Sequence, residues 1–160
     1  MNISIRSIIW ICSLGIASAI AQDRPNILFI FSDDHAYQAV SAYDGSLNQT
    51  PHIDRLAEEG MLFERCFQSS SMCSPTRHNI YTGLYPFNSG AYPNHTFAKL
   101  GAKSVVHYLQ PLGYRVALSG KTHIKPESVF PFEYSKKGNN PDMEAIDRLM
   151  AESVAAGNPF

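Results

Sequence analysis

The chain lacks an excess of charge of either sign, internal repeats and low-complexity tracts. Its 13 Lys and Arg are balanced by 14 Asp and Glu, so the formal net charge over 160 residues is −1. This near-neutral balance excludes the broad basic surface typical of nucleic-acid binding and a wide groove for a polyanion. A pocket for a single anionic group remains compatible with it. With 44% hydrophobic and 17% charged residues, the composition is that of one ordinary globular domain.

The chain also lacks a hydrophobic stretch long enough for a stable membrane span. The apolar run from Ile8 to Ile16 is shorter than the roughly 18–20 residues that a span needs. Arg6 precedes this run and the small-x-small sequence Ala19-Ile20-Ala21 follows it, a pattern typical of a secretory signal over residues 1–21. We therefore expect an exported protein without stable membrane insertion, periplasmic, secreted or lysosomal according to the organism. A membrane anchor is the alternative.

Cysteine is scarce, and two of the three cysteines follow the predicted signal. In an exported protein, the pair Cys66 and Cys73 indicates either a disulfide or two separate thiols. A disulfide would block oxidation of Cys73. With separate thiols, Cys66 is expected as a small apolar side chain in a strand.

Hydrophobic and turn patterns predict strands and helices in an order that favours a layered α/β fold. In such folds the carboxyl ends of the strands carry the ligand site, so polar residues that follow strands are candidates for function. The predicted elements are strand 26–31, helix 51–60, strand 61–67, helix 75–81, helix 103–112, strand 114–118 and helix 142–156, with loops over 84–100 and 125–141.

The most informative motif is Cys-x-Pro-x-Arg over 73–77, followed after four residues by Thr82-Gly83. Arg77 lies one helical turn beyond Cys73 and could reach back to it, and its planar fork suits an oxyanion. A loop cysteine beside a helix that begins with Pro75, and a surface arginine, are the structural alternatives.

Two further polar groups follow predicted strands. Asp33 and Asp34 are adjacent carboxylates, a type of ligand that hard divalent cations such as Ca²⁺ accept. Lys121 and His123 alternate along an extended segment and could point the same way, where Lys neutralises an oxyanion and His exchanges protons. Solvated acids and polar loop residues are the alternatives.

Together these residues resemble the sulfatase family. The resemblance rests on Arg24–Leu28 leading to Asp33-Asp34, on Thr50–Gly60, on the Cys73 motif and on Gly120-Lys121-Thr122-His123, where Thr122 replaces a common Trp. It implies an alkaline-phosphatase-like mixed sheet with helices on both faces, and hydrolysis of sulfate esters or sulfamates on sulfated carbohydrate substrates.

The resemblance also implies roles for individual residues. A maturation enzyme would convert Cys73 to formylglycine, whose hydrated aldehyde attacks sulfur. One Ca²⁺ would be held by Asp33, Asp34 and the modified Cys73, with its remaining ligands downstream. Arg77 would hold the formylglycine in place, and the other catalytic residues, Lys121 and His123, would contact the sulfate and the leaving group.

Within the family, the loops over 41–43, 88–92 and 121–132 look most like the heparan N-sulfatase (sulfamidase) branch. Family members are several hundred residues long, which implies that residues 22–160 are an N-terminal portion of the catalytic domain and are inactive by themselves. A phosphomonoester or phosphonate hydrolase of the same superfold, and a non-catalytic exported fragment, are the alternatives. Asn48 and Asn94 lie in glycosylation sequons.

Overall fold

The computed structural model describes residues 24–160, so the predicted signal over 1–21 lies outside the described residues. The described helices and strands agree with an α/β class, although they do not alternate along the chain. In chain order they are a 3₁₀ turn (Tyr37–Ala39), α1 (Pro51–Glu59), α2 (Cys73–Thr82), α3 (Pro86–Ser89), α4 (Val105–Leu109), a second 3₁₀ turn (Gln110–Leu112), β1 (Ala117–Gly120), β2 (Glu133–Lys137) and α5 (Met143–Ala155).

The two strands form a small parallel sheet. Ala117 pairs with Glu133 and Leu118 with Tyr134, and the register then shifts before Ser119 and Gly120 pair with their partners. Residues 125–141 were predicted as loop, so β2 is a correction. Its sequence, EYSKK, has little apolar character, and its strand geometry depends on pairing with β1. This sheet agrees with an α/β class, while the larger mixed sheet stays a prediction.

The core lies between α2, α4 and the segment joining β1 to β2. Phe130 and Val106 are fully buried, and Tyr81 of α2 packs edge-on against Phe132 with ring centroids 5.3 Å apart. Tight packing here holds the segment after β1 against α2. The buried cluster comprises Tyr81, Ala98, Val106, Ile124, Val129, Phe130 and Phe132.

Residues 26–31 were predicted as a buried strand, and the structure corrects this. The segment is extended without strand pairing, and Leu28 and Ile30 are 64% and 76% exposed. The Ile27 N–H donates to the carbonyl of Phe160 at 2.6 Å, and Arg115 N–H donates to the Pro159 carbonyl at 2.9 Å. Its apolar sequence is suited to a central strand, but the described residues place no strand directly beside it.

Residues 61–67 were predicted as a second strand and likewise have no strand pairing in the structure. Helix α1 forms as predicted, with Thr50 as N-cap residue, Pro51 at the first helical position and Gly60 at its end. The Thr50 hydroxyl donates to Asp54 at 2.9 Å instead of capping the helix. The predicted inner face of α1 is exposed, with Ile53 at 42% and Leu56 at 58%.

Three predicted elements have different boundaries in the structure, and the first is the strand predicted over 114–118, which is β1 over Ala117–Gly120. Helix α2 begins at Cys73, two residues before Pro75, and ends where predicted at Gly83. Gly83 has φ of 69°, and its N–H bonds to the Asn79 carbonyl at 2.8 Å, a left-handed helix end that favours glycine. The helix predicted over 103–112 becomes α4 and a 3₁₀ turn because Pro111 has no N–H to continue the ladder. Within residues 24–160 no helix is long and apolar enough to cross a membrane.

Candidate active site

Helix α2 carries Cys73 and Arg77, and it is the most buried helix of the described chain, from Ser74 to His78. Cys73 is its first residue and a half-buried free thiol, whereas Cys66 is an exposed free thiol, so the structure favours the separate-thiol alternative. Another segment contacts the first turn of this helix: the Ser74 N–H donates to Oδ1 of Asn94 at 3.3 Å.

Arg77 joins the predicted site groups. Its side chain is 4% exposed, Nη2 donates to Oδ1 of Asp33 at 3.1 Å, and Nη1 donates to the carbonyl of Lys121 at 2.9 Å. The guanidinium also lies over the Phe31 ring, 4.7 Å from its centroid, a favourable cation–π arrangement. Arg77 therefore connects two segments to α2: the segment after residue 31 and the segment after β1.

The Asp33 carboxylate accepts hydrogen bonds from two cationic side chains. Lys121 Nζ donates to Oδ2 while Arg77 donates to Oδ1. The hydrogen bond from Lys121 lowers the pKa of Asp33 below its ordinary value; burial opposes this effect, and the hydrogen bond from Arg77 adds to it. Asp33 is therefore a carboxylate at neutral pH. The next residue, Asp34, has φ of 50°, a left-handed conformation that Asp tolerates better than most residues.

His123 lies in the same segment as Lys121 and pairs with a residue that the sequence analysis did not single out. Its Nε2 is 2.9 Å from Nδ1 of His95, and its Nδ1 is buried without a partner among the described residues. Burial, then the charges of His95, Lys121 and Arg77, lowers the pKa of His123 below its ordinary value. His123 is thus favoured as the neutral imidazole near pH 7.

The sequence did not identify His78 as a site residue, because a single histidine on a helix forms no distinctive motif. It is fully buried, with Nδ1 2.8 Å from the Ser74 carbonyl and Nε2 3.3 Å from the Lys125 nitrogen. Nδ1–H donates to the Ser74 carbonyl, while Nε2 contacts the Lys125 backbone, 3.1 Å from its carbonyl oxygen and 3.3 Å from its nitrogen. Its ring packs edge-on to Phe130 at 5.1 Å. His78 thereby attaches the segment of Lys121 and His123 to α2.

The predicted cation site stays a prediction. Carboxylates suit a hard divalent cation, which takes about six to eight oxygen ligands. Within residues 24–160, however, no three His, Cys, Asp or Glu side chains cluster closely enough to hold a metal, and Asp33 is already bound by Arg77 and Lys121. The described residues thus lack a complete metal cage and would need ligands from elsewhere.

Comparison with known proteins identifies the class to which this fold and this group of residues belong. The family model described as Sulfatase matches residues 25–153, which is most of the chain. The chain belongs to the sulfatase family, as the sequence resemblance predicted. Sulfatases hydrolyse sulfuric esters, and the family generally uses a formylglycine and a divalent metal.

Several curated relatives bear this out at 33–38% identity. An ulvan-active sulfatase of Formosa agariphila is 34% identical over 89% of this chain and 30% of its own length. The human N-sulphoglucosamine sulphohydrolase is 33% identical over 86% of this chain and 28% of its own. An N-acetylglucosamine-6-O-sulfatase of Bacteroides thetaiotaomicron is 38% identical over 65% and 19%. The chain therefore spans less than a third of the length of these relatives.

Proposed function

We propose that the full-length protein, meaning the complete translation product, hydrolyses sulfate esters or sulfamates on sulfated sugars. Residues 22–160 would be an N-terminal portion of its catalytic domain, exported through the signal at 1–21. The observation that supports this most is the position of Arg77. It contacts Asp33 and the Lys121 carbonyl from the helix that Cys73 begins, so three separate sequence motifs converge.

In this proposal Cys73 is converted by a maturation enzyme to formylglycine. That group supplies a hydrated aldehyde whose hydroxyl is a nucleophile toward sulfur. The half-buried position of Cys73 at a helix start, as a free thiol, is compatible with such a modification. In this proposal the cations of Arg77 and Lys121 would stabilise an anionic sulfate, and His123 would supply a proton donor or acceptor for the leaving group.

Asp33 and Asp34 would bind one Ca²⁺ together with residue 73 and with ligands from the rest of the full-length protein. Asp34→Asn is expected to lower calcium content and activity together, since it removes one charged ligand. Elemental analysis of the purified protein measures the first effect independently of the second. Full calcium content in this variant would contradict the assignment of Asp34.

The sugar is proposed from the relatives and from the loops over 121–132. The three relatives are named for activity on ulvan, as an N-acetylglucosamine-6-O-sulfatase and as an N-sulphoglucosamine sulphohydrolase. We propose that the substrate is a sulfated glycan, and N-sulfoglucosamine is the first substrate to test. A panel of N-sulfoglucosamine, N-acetylglucosamine-6-sulfate, ulvan oligosaccharides and a phosphate monoester separates these from the phosphatase alternative.

The modification is tested by peptide mass spectrometry across residue 73 of the full-length protein, co-expressed with a maturation enzyme. Replacing the thiol by an aldehyde makes this residue about 18 Da lighter. Cys73→Ala should abolish sulfate release, because no nucleophile remains, while Cys66→Ala is the matched control and should retain it. Full activity with an unmodified thiol at 73 would refute the proposal, and turnover of the phosphate monoester with none of the sulfates would favour the alternative.

A further inference from the structure

We propose that Asn94 and His95 are positioning residues that hold His123 as the tautomer with its proton on Nδ1. The inference rests on the proposed function for its catalytic meaning, because His123 acts there on the leaving group. Its structural basis is independent, since it comes from hydrogen bonds between three side chains that no motif connects.

The orientation of the Asn94 amide is determined by its donors. Its Oδ1 lies 3.3 Å from the Ser74 nitrogen and 3.1 Å from the His95 nitrogen, and both are backbone N–H groups. A carbonyl oxygen must face them, so the other atom of the amide is the NH₂ group. That Nδ2 lies 3.4 Å from Nε2 of His95. Because an amide NH₂ only donates, Nε2 of His95 is the acceptor.

The same reasoning assigns the tautomer of His123. A neutral imidazole with Nε2 as acceptor has its proton on Nδ1, and Nδ1 of His95 is 2.9 Å from Nε2 of His123. His95 therefore donates, Nε2 of His123 accepts, and the proton of neutral His123 lies on Nδ1. This is the nitrogen that is buried without a partner among the described residues. The Nδ1–H of His123 is thus a donor without a partner among the described residues.

The backbone at both histidines has an uncommon conformation. His95 and His123 have φ of 63° and 47°, in the left-handed region that non-glycine residues seldom adopt. The rings meet with centroids 4.8 Å apart. The loop is held nearby by the Ala98 N–H, which donates to the Lys125 carbonyl at 2.9 Å. Such conformations occur where the surrounding structure imposes them, often at active sites.

Asn94→Asp is the most direct test, because it keeps Oδ1 and the size of the side chain but replaces the donor by an acceptor. His95 should then protonate Nε2 toward the carboxylate and accept at Nδ1, so that His123 protonates Nε2 instead of Nδ1. Imidazole ¹⁵N chemical shifts of the full-length protein report the tautomer, with His123→Gln used to assign the signals. The wild type should show Nδ1–H at residue 123, and Asn94→Asp should show Nε2–H.

A second pair of variants separates orientation from folding. His95→Gly suits the positive φ and removes the ring, whereas His95→Asn also tolerates this φ and places an amide NH₂ near the position of Nδ1. With the matured protein and N-sulfoglucosamine or 4-methylumbelliferyl sulfate, His95→Gly and Asn94→Asp should lower kcat about ten- to hundredfold, with KM changed less than about threefold. His95→Asn should keep kcat within about fivefold of wild type. The exposed His52→Ala is the control and should leave kcat unchanged.

The outcomes distinguish this inference from the proposed function. Nε2–H at His123 in the wild type, or an unchanged tautomer in Asn94→Asp, would overturn the inference whatever the activity. Equal losses of kcat in His95→Gly and His95→Asn would also overturn it. If the wild type releases no sulfate yet shows the expected tautomers, the proposed function fails while the positioning by Asn94 and His95 stands.

Discussion

Arg77 connects three separate parts of the described chain. It is 3% exposed, so its charge is held away from water by Asp33, the Lys121 carbonyl and the Phe31 ring. Its Nε is buried without a hydrogen-bond partner among the described residues, an arrangement that a substrate oxygen or a further residue could satisfy. Its planar group serves several partners at once, which the point charge of lysine does not.

Arg77→Lys is therefore expected to be far from conservative. The variant keeps a positive charge but loses at least one of the two hydrogen bonds. We expect it to destabilise the full-length protein by about 1–3 kcal/mol, the cost of leaving a buried polar group unpaired. Calorimetry measures this effect, and steady-state sulfate release should fall with it. Arg55→Lys, in an exposed helical pair with Glu59, is the control, and an Arg77→Lys protein as stable as this control would refute the expectation.

At the scale of the elements, single side chains hold the helices and strands together. His78 connects α2 to the segment after β1 through Ser74 and Lys125. Arg115 connects β2 to α5: Nη2 and Nε bind Glu133 at 2.6 and 2.8 Å, and Nη1 binds Glu152 at 2.8 Å. Among residues 24–160 the sheet has only two strands, so side-chain links of this kind join elements that the sheet does not.

We expect His78→Leu to loosen the segment of Lys121 and His123. Leucine fills a similar apolar space beside Phe130 but leaves the Lys125 backbone without its hydrogen-bond partner on His78, at a cost of about 1–3 kcal/mol. Hydrogen exchange of the full-length protein should show faster exchange over 121–126 in the variant. His52→Leu, at an exposed position of α1, should exchange there like the wild type. Unchanged exchange over 121–126 in His78→Leu would show that His78 does not hold this segment.

The Arg115 link is expected to make stability depend on pH. Arg115 lowers the pKa of Glu133 below its ordinary value of 4.5. A carboxyl whose pKa is lowered by folding stabilises the folded state above its unfolded pKa, and the effect is lost as the pH falls through the folded value. Arg115→Gln should thus cost about 1 kcal/mol near pH 7, as two solvent-screened pairs do, and much less below pH 4.

Denaturant titrations at several pH values measure this difference. Lys137→Gln removes the more exposed pair with Glu127, whose side chains are 52% and 72% exposed, and should cost close to nothing. A cost for Arg115→Gln that is the same at pH 3.5 and pH 7 would show that the link is not electrostatic.

For the whole molecule, the segment 27–31 is the most informative part. Its side chains are mostly exposed in the described structure, although their sequence is that of a buried strand. A cleft of about 750 Å³ lies between this segment and β1, lined by Leu28, Phe31, Val116 and Leu118 among others. Apolar surface of this kind normally packs against protein.

We predict that the amides of residues 28–31 exchange slowly in the full-length protein and fast in an isolated 22–160 chain. The isolated chain should also melt without a sharp transition and release no sulfate, because its apolar edge is unpaired. Hydrogen exchange followed by mass spectrometry compares the two proteins directly, with α2 as the internal reference. A sharp transition with turnover in residues 22–160 would show instead that they form a complete enzyme.

The sequence by itself determined the family, the candidate residues of the site and the longer helices. Helices α1, α2 and α5 could be predicted because caps, prolines and apolar spacing act within one or two turns. The family, and with it Asp33, Cys73, Arg77 and Lys121, followed from short motifs whose chemistry is carried by residue type and spacing.

Tertiary structure decided which of these residues meet, and which elements persist. Arg77 reaches Asp33 across 44 positions and Lys121 reaches Asp33 across 88, distances over which no local pattern acts. Strand β2 exists because β1 pairs with it, while segments 26–31 and 61–67 are unpaired in the described structure despite their apolar sequences. The hydrogen bonds of Asn94 and His95 with Ser74 and His123 could not be predicted for the same reason, since they join separate segments. A strand needs a neighbour for its backbone hydrogen bonds, and a site needs side chains brought from separate segments, so both depend on the folded chain.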